Sequence, residues 1–439
     1  MEASSVRASP RKANSRLAAS IQSLDADLLC KIFASLDHFD LVRCSAVCKS
    51  WNYAVWTSSL LKDLFCKKHR GSTGLCSVSV PWETSLKTCL EEFAMNQHRS
   101  SLLNGSVEAH RWNSHTVGVN QCRMKMGSIV TGVGDKVLRM WSSESYKCLG
   151  EYSIPNMASL VDFDFEESKI VGLVGTRICI WRCHGKRSMF PSKEGTFSRG
   201  LCMRYIDPEA VIGCEDGTAR VFDMYSQRCS RIIRMHSGPI TCLALTDELI
   251  LSGSSLGSIT VAGLSSDQRV ACLKSSTAPT GVLYVLVLKG IRSLCFNPRS
   301  HLVFAGSTAG YSHCWDLRTM RPLWERRISP NVIYSMQYMQ NDTSTLVVGG
   351  IDGVLRILDQ NTGKFLAGYV MDKSTTAVTP SCSRLGTVEK KKVKALPEDA
   401  CIDGTPRHLR PPITCVGVGM KKVVTTHNGK YIMMWKFKN

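Results

Sequence analysis

The stretch AVIGCEDGTARVFD, residues 210–223, is a run of apolar and small residues that breaks at Asp216-Gly217 and resumes as a second run closing on Phe222. An Asp-Gly pair between two such runs signals antiparallel strands joined by a tight turn. The pattern recurs along the chain. SIVTGVGDKVLRMW ends at Trp141, KIVGLVGTRICIW at Trp181 and KVVTTHNGKYIMMW at Trp435. LILSGSSLGSITVAG, LVFAGSTAGYSHCWD and LVVGGIDGVLRILD reach the equivalent position at Ala262, Trp315 and Leu358. Successive end positions lie 40, 41, 40, 53, 43 and 77 residues apart.

A period near 40 with four short strands per unit predicts a mainly β chain built as a seven-bladed β-propeller. Residues 106–439 resemble the WD40-repeat family. Asp216-Gly217 and Asp352-Gly353 match that family's turn between the second and third strands of a blade, and Asp135 does so without the glycine. Trp315-Asp316 matches its Trp-Asp pair, and His236 stands where its Gly-His pair stands. Thr176, Leu256 and Ala309 replace the turn aspartate in three repeats. Only four residues follow Trp435, too few for an outer strand. Residues 107–112 are therefore expected to supply it and close the ring, removing exposed sheet edges.

The two long spacings place insertions near 275–289 and 373–411. Blade order in the resembled family implies that both project from the face bearing the turns between second and third strands. The second holds EKKKVK, residues 389–394, and reads as mobile. The first holds VLYVLVL, residues 282–288, which suits an alternative strand or a separate insertion. The same family geometry puts Lys136, Arg177, Arg199 and Arg292 on that face. With the 373–411 basic cluster they would suit an acidic or phosphorylated protein substrate, because arginine grips carboxylate or phosphate through a planar fork.

The front of the chain has a different period. Leu24, Leu28, Leu29, Ile32, Phe33 and Leu36 form one apolar stripe at helical spacing, with Ser23 or Asp25 as cap. Asp40 is placed to cap a second helix with Leu41, Cys44 and Val47 inward. A third is expected from Lys49, presenting Trp51, Val55 and Leu60 or Leu61. So small a bundle cannot bury the whole stripe in itself, which implies a docking partner. Residues 21–68 resemble the F-box: Leu24, Leu28, Leu29, Ile32, Phe33, Leu36, Asp40-Leu41 and Val47-Cys48-Lys49-x-Trp51 match in order, with Asp25 where that family has proline. The resemblance implies a Skp-type adaptor bound through Leu24, Leu28, Leu29, Ile32, Phe33, Leu36, Leu41, Val47, Cys48 and Trp51, and cullin and RING subunits bound through the adaptor. Residues 69–105 read as a helical linker, with Leu86, Cys89, Leu90 and Phe93 at helical spacing acting as a stiff strut. Residues 1–20 read as a disordered basic tail.

Composition narrows the function. The 439 residues carry 55 Lys+Arg against 36 Asp+Glu, a net charge of +19. Of these, 42 basic and 26 acidic residues fall in 110–439, so +16 of the excess lies there. Twenty cysteines include no C-x-x-C and sit mostly in apolar strand-like runs, which argues for reduced core thiols, no metal and a cytoplasmic or nuclear compartment. No run is long enough to cross a bilayer. Nucleophile-elbow, P-loop and metalloprotease patterns are missing, so neither catalysis nor a cofactor is expected. The two resemblances together imply a substrate receptor of a Skp–cullin–F-box ubiquitin ligase. The rivals are a ligase-independent WD40 scaffold and a nucleic-acid-binding propeller, the latter disfavoured because basic runs interleaved with aromatics are missing.

Overall fold

The structure, a computed structural model, describes residues 24–36, 38–45, 47–58, 60, 82–132, 136–154, 159–166, 168–182, 187–190, 199–266, 268–273, 290–371, 388–398 and 410–438. The basic tail at 1–20, the apolar run 282–288, Ser23, Leu61, Asp135 and the side chains of Leu86, Cys89 and Leu90 lie outside the described residues. The chain divides into two compact units, with the boundary between Ala94 and Met95.

The first unit holds three short helices, α1 (Ala26–Phe33), α2 (His38–Ser45) and α3 (Lys49–Thr57). Asp25 caps α1, its carboxylate accepting from Ala26 N at 2.7 Å. Asp40 is not the cap of α2. That helix starts at His38, so Asp40 lies within its first turn, where a negative charge suits the helix dipole, and it pairs with Arg43 at 2.9 Å. A fourth helix, α4 (Trp82–Asn104), follows.

The second unit is the seven-bladed propeller. Each blade is an antiparallel sheet; in the first six the strands run outward in chain order, and the innermost strands of successive blades are neighbours. The turn in the opening stretch shows why the sequence makes a blade. Asp216 Oδ1 accepts from Thr218 N at 2.9 Å and from its hydroxyl at 2.6 Å. Gly217 takes φ +81°, and any Cβ there would strike the His236 carbonyl, so only glycine fits. Small residues also set blade spacing. Gly213, Gly253, Gly306 and Gly349 on second strands leave room for Ile240, Ile291, Ile333 and Ile413, which precede or open the next innermost strand.

Trp141 and Trp435 are buried, and their indole Nε1 atoms each donate at 2.9 Å to a threonine on the adjacent strand, Thr131 and Thr425. His115 Nε2 lies 2.9 Å from Thr131 Oγ1, and His427 Nε2 lies 2.8 Å from Thr425 Oγ1. The missing outer strand is Ser106–Asn113, antiparallel to Tyr431–Lys438 with Ala109 opposite Trp435.

Part of the 373–411 insertion departs from expectation. Val388–Lys391 adds to Ser106–Asn113 as a fifth strand of the last blade, and Val393–Leu396 adds to Phe365–Met371 as a fifth strand of the sixth. The lysine run is therefore ordered along the outer perimeter and does not belong to the turn-bearing face. The reason is backbone chemistry: an outer strand carries a row of unpaired N–H and C=O groups that captures a passing extended segment. Lys390 then pairs with Glu108 at 2.8 Å. The cysteine expectation is also incomplete. Cys122, Cys179, Cys202, Cys214, Cys242, Cys314 and Cys415 are buried, but Cys148 and Cys272 are exposed.

Two histidines make the second unit acid-sensitive. Burial holds His98 and His427 each down to about 4. Lys421 N donates to His98 Nδ1 at 3.0 Å, and His427 Nδ1 donates to the Pro411 carbonyl at 3.2 Å. Both stay neutral in the fold while the unfolded chain binds protons below about pH 6.5, so stability falls as pH drops from 6.5 towards 4. At pH 5 the expected loss is about 2 kcal/mol per histidine. Denaturant melts at pH 7 and pH 5 measure it, and His427→Asn should remove that residue's share.

Candidate functional site

In the three-helix unit, Leu29, Phe33, Leu41, Ala54 and Val55 form the closed core. Leu24, Leu36, Trp51 and Leu60 pack around it half-buried, and Phe33 meets Trp51 edge-on with ring centroids 5.3 Å apart. The apolar stripe of α1 is thus split. Leu29 and Phe33 face inward, whereas Leu28 and Ile32, four residues apart on one side of the helix, remain 48% and 46% exposed. Val47, in the turn between α2 and α3, is 64% exposed, and Tyr53 on α3 is 69% exposed.

Of the ten expected adaptor-binding residues, Leu29, Phe33 and Leu41 therefore build the unit and do not form its outer surface. An eight-residue helix must spend one side on the unit's own core: Leu29 and Phe33 are that side of α1, and Leu41 faces them from α2. Leu24, Leu36, Cys48 and Trp51 are intermediate. Cys48 caps α3 by position, and a hydrogen bond with the Ser50 hydroxyl at 3.2 Å holds its thiol below the usual range. Tyr53 was not legible from spacing, because the third helix reads inward through Trp51 and Val55. Leu28, Ile32, Val47 and Tyr53 are thus the large apolar side chains left exposed among the described residues of this unit.

The propeller places its four expected basic residues on one face. In blade after blade, an N–H of the turn between second and third strands donates to a carbonyl just before the innermost strand. Gly175 N to Ser159 O, Glu215 N to Arg199 O, Ser255 N to Pro239 O and Thr308 N to Gly290 O span 2.8–3.0 Å. These bonds tie the two kinds of loop into one rim. Lys136 sits in such a turn at φ +61°, and Arg177 opens the third strand Arg177–Arg182. Arg199 immediately precedes the innermost strand Gly200–Ile206, and Arg292 is the second residue of Ile291–Asn297. Lys136, Arg199 and Arg292 are exposed, and Arg177 is half-buried. The 389–394 cluster does not join them.

Among the described residues, no group of three or more His, Cys, Asp or Glu side chains could hold a metal ion. None of the described helices is long and apolar enough to cross a membrane.

Residues 21–63 match the F-box domain family. Across nearly its whole length the chain is similar to an F-box/WD-40 repeat-containing protein of Arabidopsis thaliana, 50% identical over 451 residues that cover 98% of this chain and 97% of that one. Weaker similarity links it to the human angio-associated migratory cell protein, 24% identical over 169 residues, 36% of this chain and 38% of that one. The mitochondrial division protein 1 of Sclerotinia sclerotiorum is 24% identical over 130 residues, 30% of this chain and 17% of that one.

Proposed function

Since this chain belongs to the F-box/WD-40 repeat proteins, we propose that it is the substrate-recognition subunit of a Skp–cullin–F-box ubiquitin ligase. The observation that carries the reading is the exposed Leu28 and Ile32 stripe on a unit that closes its core without them. A Skp-type adaptor would bury that stripe together with Val47 and Tyr53, and would bring the cullin and RING subunits with it. The propeller would hold a protein substrate near the ubiquitin-charged enzyme, supplying proximity while bond chemistry occurs elsewhere. Exposed Lys136, Arg199 and Arg292 on one rim favour an acidic or phosphorylated substrate. The cysteines of the described residues are joined by no disulfide, which suits a reducing compartment, cytoplasm or nucleus.

The test separates surface from core. Leu28→Asp with Ile32→Asp should leave the helical signal intact and weaken adaptor binding by at least ~30-fold per anchor, the effect of losing about 2 kcal/mol at an interface centre. Leu29→Ala should instead unfold the unit, since truncating a buried leucine costs ~2–5 kcal/mol. Wild-type affinity in the double variant, measured by calorimetry with purified adaptor, rejects the receptor reading.

A further inference from the structure

The third blade ends on an open strand. Arg228–Arg234 is its outermost strand, paired on one side with Thr218–Asp223, and no strand of the described residues pairs with its other side. Met235 N, one residue past the strand, donates inward to the Gly217 carbonyl at 3.1 Å. The Arg234 carbonyl points the other way and accepts from Arg269 Nη2 of the fourth blade at 3.1 Å. Backbone groups alternate in direction along an antiparallel strand. Those of Ile233 and Arg231 therefore face the blade, and those of Arg234 and Ile232 point out of it. The Arg234 N–H and both backbone groups of Ile232 are left open among the described residues.

The side chains give this edge a sign. Arg228, Ser230, Ile232 and Arg234 form its exposed row, with Ile232 54% exposed. Arg231 is committed to Glu209, to which its Nη2 donates at 2.8 Å. Arg228 and Arg234 have no ion-pair partner among the described residues, and the strand carries no acidic residue. The outer strand of the first blade, Cys148–Ser153, is the opposite case, with Glu151 and no basic residue. Positive charge continues on the outer strands next to the third blade's, as Arg269 in the fourth and Arg321, Arg326 and Arg327 against Glu325 in the fifth.

The same ring shows what such an edge takes up. Val388–Lys391 joins Ser106–Asn113 as an added strand, and Lys390 of the incoming segment pairs with Glu108 of the strand it joins at 2.8 Å. We propose that the outer edge of the third blade takes up an extended acidic segment of a partner protein as a fifth strand. Backbone hydrogen bonds to Ile232 and Arg234 would hold the segment, and side chains would select it. Ile232 calls for an apolar residue in the opposing position, and Arg234 for a carboxylate two residues to one side. Arg228, beyond the register shift between Arg231 and Cys229, calls for further negative charge on the other side. A second copy of this strand is a poor occupant, because arginines would then face arginines. Such a contact gives the chain a recognition element besides the turn-bearing rim, read from the sequence of an extended segment with no phosphate required.

The probe is a fluorescein-labelled synthetic peptide, Glu-Thr-Glu-Thr-Val-Thr-Glu-Thr-Glu, whose valine and glutamates share one face when extended. One control replaces its glutamates with lysine. The other keeps the charge but is N-methylated at valine and glutamate, which removes the donors a strand edge needs. Fluorescence anisotropy with the intact chain should show the acidic probe binding at least ~10-fold more tightly than either control. Hydrogen exchange of the wild-type chain, read by mass spectrometry, should slow across 228–235 when the acidic probe is present. Arg228→Glu with Arg234→Glu should melt as wild type does and reverse the preference towards the lysine peptide. Equal binding of the N-methylated peptide would reduce the effect to charge alone and overturn strand addition. Absence of binding, or protection appearing at 388–396 or on the rim in place of 228–235, overturns the assignment to this edge.

Discussion

Removing residues 1–94 should leave a propeller that melts within a few degrees of the intact second unit, whereas removing 1–104 should cost at least ~5 kcal/mol of stability. The two truncations differ only by the C-terminal half of α4. That half buries Met95, His98, Ser101 and Leu102, with Leu102 in the same cluster as Trp435 and Phe437. Arg99 Nε donates to Asp342 at 2.6 Å, and the Tyr369 hydroxyl donates to the Leu102 carbonyl at 2.7 Å. Deleting the segment empties the Leu102 site, at ~2–5 kcal/mol, and leaves a buried carboxylate without its cation. The shortened chain then starts at Gly105, directly before Ser106–Asn113, so fraying of the new end would reach the strand that closes the ring. Scanning calorimetry of the two truncated chains decides it, and equal midpoints would show that residues 95–104 merely rest on the propeller.

That dependence was hidden in the sequence, and the reason is instructive. The blades were legible because each repeats the same local chemistry: a strand, a turn built by Asp or Gly, and a strand ending on a large side chain. Closure by residues 107–112 was expected because the four residues after Trp435 cannot make a strand, and the strand found there is Ser106–Asn113. Arg99 and Asp342 lie 243 residues apart, and no local pattern links them. The Glu-Lys-Lys-Lys run at 389–392 reads as mobile because its residues have weak strand preference. It is ordered by the open edge it meets, and edges are not written in the segment that covers them. Leu28 and Leu29 are the sharpest case. They are chemically identical neighbours on one helix, and only packing against Leu41 and Val55 decides which builds the unit and which is left for a partner.

Asp162→Ala should be among the most destabilising single substitutions in the propeller, at ~3–5 kcal/mol. Asp162 is buried on the innermost strand of the second blade and serves three blades at once. Its Oδ1 accepts from its neighbour Phe163 N and from Arg123 Nη2 on the first blade, both at 2.9 Å. Its Oδ2 accepts from Met203 N at 2.9 Å and Arg204 Nη1 at 3.3 Å, both on the third blade. Asp164 repeats the device one step along the strand, accepting from Phe165 N at 2.9 Å and Tyr205 N at 3.2 Å and pairing with Lys125 at 2.9 Å. Burial pushes the Asp164 carboxyl up, but Lys125, Arg123 and Arg204 outweigh it and hold it below the usual range. Alanine at 162 would strand the buried Met203 amide without an acceptor and leave Arg123 and Arg204 without their shared anion. Asp316→Ala is the matched control, because its partner Arg318 is 63% exposed and such pairs are worth about 1 kcal/mol or less. Urea denaturation of both variants, with an Asp162 and Arg204 double-mutant cycle, measures the difference. If Asp162→Ala cost no more than Asp316→Ala, the carboxylate would be an incidental occupant, and packing such as that of Leu160 against Gly132 and Leu173 against Gly200 would alone hold the first three blades in register.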